Sequence, residues 1–422
     1  MLLLPVLLLP VLLFRSPGGR LPLFRFRFPG GRLMDLAYSA EEEDFRARLR
    51  AWLAEVLPKL PPRPDPLDWP ARRAHDMSWQ RALYDAGYAG LHWPAEAGGR
   101  GATPTQHLIF LEETEAAGAP YVGAGFVGLL HAGPTIAAEG TPEQCERWLP
   151  PILRGEQVWC QGFSEPDAGS DLAALRTRAV RDGDDYVVTG AKIWTSHAEV
   201  ADWCELLVRT DPGAPRHRGI TWLAMPMDAP GITVRPLRTL AGSTEFAEVF
   251  LDEVRVPVRN RVGAENDGWR VTMVTLSYER GTAFVGEVVA CRRTLRLLAR
   301  RARENGRWDD PAVRRELGRL NAVFTALWRL TQWNVSEAEH SLRRGGTSVP
   351  GLGGSVFKLR YSHARQELYE AAAQVLGPQA LDLDEEWTRG RLSSLSYTIA
   401  AGTSQIQRNI VAERILGLPK GR

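Results

Sequence analysis

The hydrophobic positions that follow the first acidic residues of the chain recur at helical spacing. Phe45, Leu49, Trp52 and Leu53 lie on one face of a helix of 3.6 residues per turn. Ser39 and the three glutamates after it have the sequence of an N-cap and an acidic first turn, and the proline-rich stretch after Leu53 is expected to end this helix. The same spacing predicts further helices at residues 79–87, 106–117 and 141–153.

From about residue 158 the periodicity changes from helical to strand-like. Short segments rich in valine, isoleucine, threonine and aromatic residues are separated by Gly, Pro and Asp. Asp182, Gly183 and Asp184 have the sequence of a hairpin turn between two such segments. The pattern predicts a small antiparallel β-domain. Its predicted strands cover residues 185–189, 203–210, 219–225, 232–236 and 248–256.

The helical period returns after Asp267. Helices are predicted at residues 269–303, 311–342, 355–376 and 404–416, with a Gly- and Pro-rich loop at 345–354. At 422 residues a single hydrophobic core is not expected, because cores stop growing near about 250–300 residues. We therefore predict an α+β multidomain fold. It comprises an N-terminal helical domain (34–157), a central antiparallel β-domain (158–262) and a C-terminal four-helix bundle (263–422).

The first 33 residues differ from the rest of the chain. They contain no acidic residue, repeat FRSPGGRLP as FRFPGGRLM, and show neither helical nor strand periodicity. A signal peptide would need a basic start and a small-residue cleavage site, and a membrane span would need about 20 apolar residues. The apolar run meets neither requirement, since it ends at Arg15. We expect residues 1–33 to be a mis-started or disordered leader, with translation beginning at Met34.

The charge balance favours neither nucleic acid nor a membrane as a partner. The whole chain has a formal charge of +2, but the part that begins at Met34 carries 47 basic and 50 acidic residues, a net charge of −3. The sequence pI of about 8.4 therefore depends on the leader. Of the 52 basic residues, 48 are arginines. The four lysines are Lys59, Lys192, Lys358 and Lys420.

The cysteines argue against metal chemistry. Cys145, Cys160, Cys204 and Cys291 are widely spaced, and the sequence contains no CxxC, CxxH or HxxxH pair. Single cysteines spread over a long chain are typical of a reducing compartment. We expect no metal site and a cytoplasmic location.

One glycine motif resembles a dinucleotide-binding fingerprint. Gly123, Gly125 and Gly128 match GxGxxG, but that fingerprint requires a strand before it and an uninterrupted helix after it. Here helical sequence precedes the glycines, and Pro134 stands where the helix would continue. We do not expect a dinucleotide site at these glycines.

Residues 159–196 carry the most chemical information. The segment 164–171 (SEPDAGSD) is rich in hydroxyl groups and free backbone amides, and Gly169 allows a ligand to approach the main chain. Trp194 offers a flat apolar face beside two hydroxyl residues, which suits an aromatic cofactor ring. The alternative, that Trp194 is a core residue and the serines belong to turns, is favoured by the residues alone.

This block and the sequence GTSQIQR at 402–408 together resemble the acyl-CoA dehydrogenase family. The resemblance extends from about residue 36 to residue 418, and the order of helices, strands and helices agrees with that family's three-domain fold. It implies an FAD enzyme. The residues that match the family's flavin-contacting segments are Gln161, Phe163, Ser164, Ser170, Trp194, Thr195 and Ser196, with Ser170 also near the pantetheine arm of the substrate.

The resemblance implies further cofactor contacts in the C-terminal helices. Thr403 and Gln405 match FAD contacts of the family. Gln374 and Gly377 stand where the family has a Gln-x-x-Gly-Gly stretch that contacts the FAD of a neighbouring subunit. The second glycine of that stretch is Pro378 in this chain, which weakens the match.

The catalytic base departs from the family's best-known pattern. Many members carry a glutamate immediately before the Gly-Thr pair, where this chain has Ala401, which cannot accept a proton. Other members place the glutamate before an arginine on a central helix, and this chain has Glu279 and Arg280 there. The residues three and four positions from Glu279 are uncharged, so it lies on a helix face that can be buried. The resemblance implies Glu279 as base and Arg280 as the residue that orients it.

The implied reaction is the dehydrogenation of an acyl-CoA thioester to the trans-2-enoyl-CoA, with electrons passed to an electron-transfer flavoprotein. The backbone amide of Ala401 would bind the thioester carbonyl, because an amide does not depend on the side chain at that position. The sequence leans towards bulky, dicarboxylic or steroid side-chain thioesters. The alternative is a non-catalytic partner subunit of a heteromeric acyl-CoA dehydrogenase. We expect a homo-oligomer or a pair with another family member, and an oxidase activity stays open.

Overall fold

The computed structural model describes residues 37–282, 285–343 and 353–419, and the backbone of two short strands within the leader. These strands, β1 (Phe26–Arg27) and β2 (Leu33–Met34), pair antiparallel. The sequence shows no strand period there, so this pairing was not predicted. The rest of the predicted leader lies outside the described residues. Within the sixth helix, the side chains of residues 278–282 lie outside them as well.

Five α-helices form the N-terminal part, and capping explains where several of them begin. Ser39, Thr103 and Thr141 each form a capping box with the residue three positions later. The second helix begins at Trp69, ten residues earlier than predicted, because Pro70 occupies its first turn, where a proline costs no hydrogen bond. The helices are α1 (Ala40–Val56), α2 (Trp69–Asp85), α3 (Pro104–Ala116), α4 (Gly133–Glu139) and α5 (Pro142–Leu153).

An eight-stranded sheet follows these helices. Its order is β10-β7-β6-β4-β5-β9-β8, and β3 pairs parallel with β6 beside that path. The other pairings are antiparallel apart from one parallel contact between β4 and β6, so the predicted β-domain is confirmed. The strands are β3 (Trp159–Gly162), β4 (Arg178–Asp182), β5 (Asp185–Ser196), β6 (Trp203–Arg209), β7 (Ile220–Pro226), β8 (Ile232–Leu237), β9 (Phe246–Pro257) and β10 (Arg261–Val262).

Helices form the C-terminal part, as predicted. The predicted helix 269–303 is two helices, and residues 283–284 between them lie outside the described residues. The predicted loop 345–354 also lies outside them, apart from residues 353–354. Those two residues begin a helix. The helices are α6 (Gly268–Thr282), α7 (Val285–Glu304), α8 (Pro311–Arg343), α9 (Gly353–Leu376), α10 (Glu386–Ser394) and α11 (Ser404–Ile410), which continues as a π-helix (Val411–Ile415).

The main hydrophobic core crosses the predicted domain boundaries. Trp79 and Trp148 of the N-terminal helices, Trp159 and Trp222 of the sheet, and Val271 of α6 belong to one buried cluster. A second cluster joins α7, α8 and α9 and forms the interior of the C-terminal bundle. The helical and β parts are therefore packed against each other, and the boundaries near residues 157 and 262 stay predictions.

The described residues contain neither a candidate membrane span nor a candidate metal cluster. None of their helices combines the length and the apolar character that a membrane span needs. Within the same residues, no group of three or more His, Cys, Asp or Glu side chains is placed to hold a metal ion. The four cysteines are free thiols, and Cys160, Cys204 and Cys291 are buried.

Candidate functional site

A buried ion pair fixes the loop after β3, where the predicted flavin contacts begin. Lys192 Nζ, on β5, donates to the Glu165 carboxylate at 2.8 Å and to the Phe163 carbonyl at 3.1 Å. The same carboxylate accepts hydrogen bonds from the backbone amides of Arg176 and Thr177 at 2.7 and 2.8 Å. The loop is thereby joined both to the neighbouring strand and to the segment that leads into β4.

The charges of this pair depend on each other. Burial alone would raise the pKa of the Glu165 carboxyl, but the Lys192 charge and the hydrogen bonds from Thr177 and Arg176 lower it below its usual value. Burial lowers the pKa of the Lys192 ammonium, and Glu165 opposes that change. Removal of either partner would leave an uncompensated charge in the interior.

Trp194 lies in a β-bulge near the end of β5. The register between β5 and β9 shifts between Lys192 and Thr195, and Trp194 has a left-handed backbone conformation with φ of 61°. Its side chain is 57% exposed and meets the Phe246 ring edge-on, with centroids 6.0 Å apart. The core-residue alternative for Trp194 is therefore wrong. The predicted strand 185–189 was also too short, because β5 continues to Ser196 and carries this bulge.

The residue after Trp194 has the opposite environment. Thr195 is completely buried, and its Oγ1 has no hydrogen-bond partner among the described residues. An unpaired buried hydroxyl is costly, so it indicates a missing partner at this position. Ser196 ends the strand opposite Phe246 and is half-buried.

Two buried side chains contact the side-chain amide of Gln161 and hold it in place. Its Nε2 donates to Glu205 at 2.8 Å and lies 3.1 Å from Nδ1 of His131. Glu205 is on β6, and His131 is in a π-helix (Gly128–Ala132). Of the other predicted loop contacts, Phe163 and Ser164 directly follow β3, while Ser170 is exposed at the loop's far end.

The turn that contains Ala401 is shaped by two side chains that donate to its carbonyls. Ala401 has a left-handed conformation with φ of 51°. Lys358 Nζ, on α9, donates to the carbonyls of Ala400 and Gly402 at 2.8 and 2.6 Å. Gln407 Nε2 donates to the Ala401 carbonyl at 3.1 Å. Because side chains of the protein hydrogen-bond to these carbonyls, the conformation of the turn is set before any ligand binds.

The two predicted contacts after this turn have different environments. Thr403 is the N-cap of α11, and its hydroxyl accepts a hydrogen bond from the Ile406 amide at 3.2 Å. Gln405, in the first turn of the same helix, is exposed. Its side chain is therefore available to a ligand.

The proposed base and its neighbour, Glu279 and Arg280, lie in the last turn of α6. Their side chains lie outside the described residues, so their predicted roles stay predictions. One turn earlier on the same helix, Thr275 is completely buried and accepts a hydrogen bond from the Thr135 hydroxyl at 2.9 Å. The helix that carries position 279 is thus anchored in the protein interior.

Gln374 and Gly377 are not brought to this turn within one chain. Gln374 is sixteen residues after Lys358, a distance of about 24 Å along α9 at 1.5 Å per residue. Gln374 is exposed in a groove that His363, Gln366 and Glu370 also line, and Gly377, with φ of 62°, is exposed just beyond it. This separation agrees with the expectation that these two residues serve a neighbouring subunit.

An electrostatic effect links the surroundings of Trp194 with those of the Ala401 turn. Phe246, against Trp194, is preceded by Glu245. Burial raises the pKa of the Glu245 carboxyl, against the effect of Arg72, and Glu287 on α7 raises it further. Glu287 in turn accepts a hydrogen bond from Tyr397, four residues before Ala401, at 3.2 Å. Glu245, next to Phe246, is therefore within electrostatic range of Glu287, which is bonded to Tyr397.

No local sequence pattern indicated the roles that Lys192, Glu165, Lys358 and Gln407 have here. A usable signal was present, because only four basic residues of the chain are lysines. Two of these four, Lys192 and Lys358, are almost completely buried and shape the two halves of the site. In a chain that uses arginine almost everywhere else, a retained lysine marks a position where a compact ammonium group is needed.

The GxGxxG glycines lie in helical segments, as the surrounding sequence predicts. Gly123 and Gly125 belong to a 3-10 helix, and Gly128 begins the π-helix that precedes α4. Within the described residues before this motif, the nearest regular element is the helix α3, not a strand. The motif therefore lacks the strand that a dinucleotide fingerprint requires.

Comparison with known proteins identifies the class to which this fold and site belong. Three family models match consecutive parts of the chain. They are those of the acyl-CoA dehydrogenase N-terminal domain (residues 39–156), middle domain (160–254) and C-terminal domain (266–416). The chain belongs to the acyl-CoA dehydrogenase family, as the sequence resemblance predicted.

Individual relatives agree over nearly the whole length. Acyl-CoA dehydrogenase IpdE1 of Mycobacterium tuberculosis is 39% identical over 387 residues, which covers 90% of this chain and 98% of that protein. Among solved structures, the Tcur3481-Tcur3483 steroid ACAD superposes with a TM-score of 0.76 at 31% identity, covering 92% of this chain and 100% of that chain. The ChsE4-ChsE5 complex from M. tuberculosis gives 0.75 at 32% identity, with the same two coverages.

Acyl-CoA dehydrogenases are FAD-dependent flavoproteins, and the residues of this site fit such a cofactor. Trp194 offers an exposed aromatic face, and the buried Thr195 hydroxyl needs a hydrogen-bond partner. The loop after β3 is fixed beside them by Lys192. A planar ring with polar edges would match an exposed indole next to an unpaired hydroxyl.

Proposed function

We propose that the chain catalyses the α,β-dehydrogenation of an acyl-CoA thioester to the trans-2-enoyl-CoA and passes the electrons to an electron-transfer flavoprotein. The observations that carry the proposal are the exposed Trp194 indole beside a loop fixed by Lys192 and the preformed turn at Ala401, which Lys358 supports. The Trp194 indole offers a flat surface to the cofactor ring, and the Ala401 turn offers a backbone amide in a preformed conformation. The free cysteines agree with a cytoplasmic location.

The roles of the chain's own residues follow from this arrangement. The amide of Ala401 would donate to the thioester carbonyl, which makes the α-proton more acidic. Glu279 would take that proton, and Arg280 would orient the base. The remaining predicted contacts, from Gln161 to Ser170 and at Thr403 and Gln405, would hold the cofactor and the pantetheine arm. FAD, when bound, supplies the acceptor for the hydride that leaves the β-carbon.

A glutamine substitution at position 279 tests the base. We expect Glu279→Gln to keep the bound flavin and its visible spectrum but to slow anaerobic bleaching by acyl-CoA about 100- to 10,000-fold, because an amide cannot accept the proton. The matched control is Glu304→Gln, which removes a carboxylate at the end of α7 and should bleach like the unaltered protein. Full activity of Glu279→Gln would assign the base to another residue.

A second function, a partner subunit without catalytic activity, has one observation in its favour. Ala401 stands where many family members carry their catalytic glutamate. A panel of acyl-CoA thioesters, tested with and without co-expressed family members, separates the two functions. Flavin bleaching that depends on Glu279 of this chain supports the catalytic role. A colourless protein, or bleaching that survives Glu279→Gln in the assembled complex, supports the partner role.

A further inference from the structure

A polar network lies close to the Ala401 turn and is not used in the proposed reaction. Its centre is Glu287 on α7, whose Oε2 accepts a hydrogen bond from Tyr361 at 2.9 Å and whose Oε1 accepts one from Tyr397 at 3.2 Å. Arg365 pairs with the same carboxylate and donates to the Tyr361 hydroxyl at 2.8 Å. The Arg365 guanidinium also lies over the Tyr397 ring, 4.2 Å from its centroid.

Helix α9 shows how near this network is to the reaction site. Lys358, Tyr361 and Arg365 are three and four residues apart and therefore share one face of the helix. Lys358 supports the Ala401 turn, so Tyr361 and Arg365 are about 5 and about 10 Å further along the helix axis. Tyr397 belongs to the short 3-10 helix (Leu395–Thr398) that leads into the same turn.

The network is not sealed in the interior. The Glu287 side chain is 27% exposed, and Tyr121, on the segment between α3 and the first glycines of the GxGxxG motif, is 43% exposed. The Tyr121 ring lies beside Gly286, 4.0 Å from where a side chain on that glycine would begin. Tyr121 makes no hydrogen bond to another described residue. A tyrosine hydroxyl is protonated at neutral pH, so that of Tyr121 can donate.

The groups around Glu287 and Tyr121 suit a ligand group without a charge. The positive charge of Arg365 balances Glu287. A further carboxylate would therefore face the Glu287 carboxylate without a cation of its own. A plain alkyl chain would cover the partly exposed Glu287 carboxylate and the Tyr121 hydroxyl without replacing their bonds to water. A hydroxyl group could satisfy both, because it can donate to Glu287 and accept from Tyr121, and a carbonyl group could accept from Tyr121.

We propose that Glu287 and Tyr121 select acyl-CoA thioesters whose acyl group carries a neutral oxygen function, a hydroxyl or a carbonyl, roughly 5 to 10 Å from the thioester. This inference rests on the proposed function and names its substrate class. Glu287 accepts from the substrate hydroxyl, and Tyr121 donates to the substrate oxygen. Tyr361, Tyr397 and Arg365 hold the Glu287 carboxylate in position.

Acyl-CoA thioesters matched in carbon skeleton test this selection by flavin bleaching with any required partner chain present. One member is the alkyl or cycloalkyl compound, and the others carry a hydroxyl, a ketone or a carboxylate at the far end. We expect kcat/KM to be at least about 10-fold higher for the hydroxyl or ketone compound than for the other two, because one well-placed hydrogen bond contributes about that factor. Equal rates for the alkyl compound, or a preference for the carboxylate, would overturn the inference.

Tyr121→Phe is the decisive variant, because it removes a hydroxyl that no described residue uses and should not affect folding. We expect it to raise KM about 10-fold for the oxygenated substrate, to leave kcat unchanged, and to leave both constants unchanged for the alkyl substrate. Glu287→Gln should lower the hydroxyl preference in the same way. Tyr84→Phe on α2 is the matched control and should change nothing.

The outcomes separate this inference from the function on which it rests. If no thioester of the panel bleaches the flavin, the proposed function fails and the inference fails with it. If the alkyl compound bleaches it well and Tyr121→Phe has no effect on any substrate, the function stands and the inference is wrong. If Tyr121→Phe lowers kcat equally for every substrate, the hydroxyl serves the structure of the site and the inference is also wrong.

Discussion

Neighbouring residues at the end of β5 have opposite environments, and the contrast carries information about the ligand. The Trp194 ring faces solvent, while the Thr195 hydroxyl is buried without a partner among the described residues. A buried unpaired hydroxyl is unfavourable, and the exposed indole beside it offers a ring face to a ligand. We expect a bound flavin to cover the indole and to supply the partner of the hydroxyl, so these two residues support the cofactor assignment more directly than the loop serines do.

Thr195→Val tests this assignment because valine keeps the shape and removes only the hydroxyl. We expect the FAD dissociation constant to rise about 10-fold, in line with a hydrogen bond of about 1–1.5 kcal/mol, while the cofactor-free protein becomes no less stable. Thr331→Val is the control, since that hydroxyl donates to the Leu327 carbonyl within α8 at 3.0 Å. It should lower stability slightly and leave FAD binding unchanged. Unaltered FAD affinity in Thr195→Val would place the flavin edge elsewhere.

At the scale of elements, we expect the Lys192–Glu165 ion pair between the loop after β3 and β5 to have the largest effect on the free energy of unfolding. Lys192 is 1% exposed and satisfies both a carboxylate and a carbonyl of the loop. We expect Lys192→Met to lower the free energy of unfolding by about 3–5 kcal/mol, because it leaves the Glu165 charge buried and unpaired. Adding Glu165→Gln should restore part of that loss, as measured by urea unfolding. Strictly additive effects would show that the two side chains act independently.

The same pair makes stability depend on pH in a defined direction. The pKa of the Glu165 carboxyl is lower in the folded protein than its usual value, so the folded state favours the ionised form. Its contribution to stability is complete above about pH 5 and is lost as the pH falls through the folded pKa. The Glu165→Gln variant should therefore lose less stability than the unaltered protein between about pH 5 and pH 3.

The elements were largely predictable from the sequence, and the exceptions have local causes. Periodicity gave the long helices and most strands because their apolar faces pack on a core. It missed the early start of α2, where Pro70 reads as a breaker but serves in a first turn, and it ended β5 too soon. Gly190 and Trp194 interrupt the strand alternation in β5, since a bulge disturbs the period of two on which the prediction depends.

The site was predictable only in part, because its supporting contacts join distant segments. The resemblance named Trp194, Thr195 and the Ala401 turn. It gave no reason to connect Lys358 with residues 400–402, since this contact spans more than forty residues and leaves no local pattern. The network around Glu287 was missed for the same reason, because α7, α9 and the short helix before Ala401 contribute to it from separate parts of the chain.

At the scale of the whole molecule, exposed apolar side chains gather in the C-terminal part. Single exposed leucines need no explanation, but several close in sequence indicate a surface that binds another protein chain. Two of them, Leu381 and Leu383, follow within nine residues of Gln374, which this chain does not bring to its own Ala401 turn. The most exposed of them are Leu381 (81%), Ile399 (66%), Leu416 (64%), Leu383 (62%) and Leu418 (53%).

We expect this surface to join two chains, either copies of this one or this chain and another family member. Glutamates at Leu381 and Leu383 should then reduce the mass measured by sedimentation and release FAD, because the surface and the Gln374 contact would be lost together. Gln374→Ala should weaken FAD binding while the assembly stays intact. Leu67→Glu, at an exposed leucine of the N-terminal part, is the matched control. Dissociated chains that keep their FAD would show that each chain completes its own cofactor site and that Gln374 serves no neighbour.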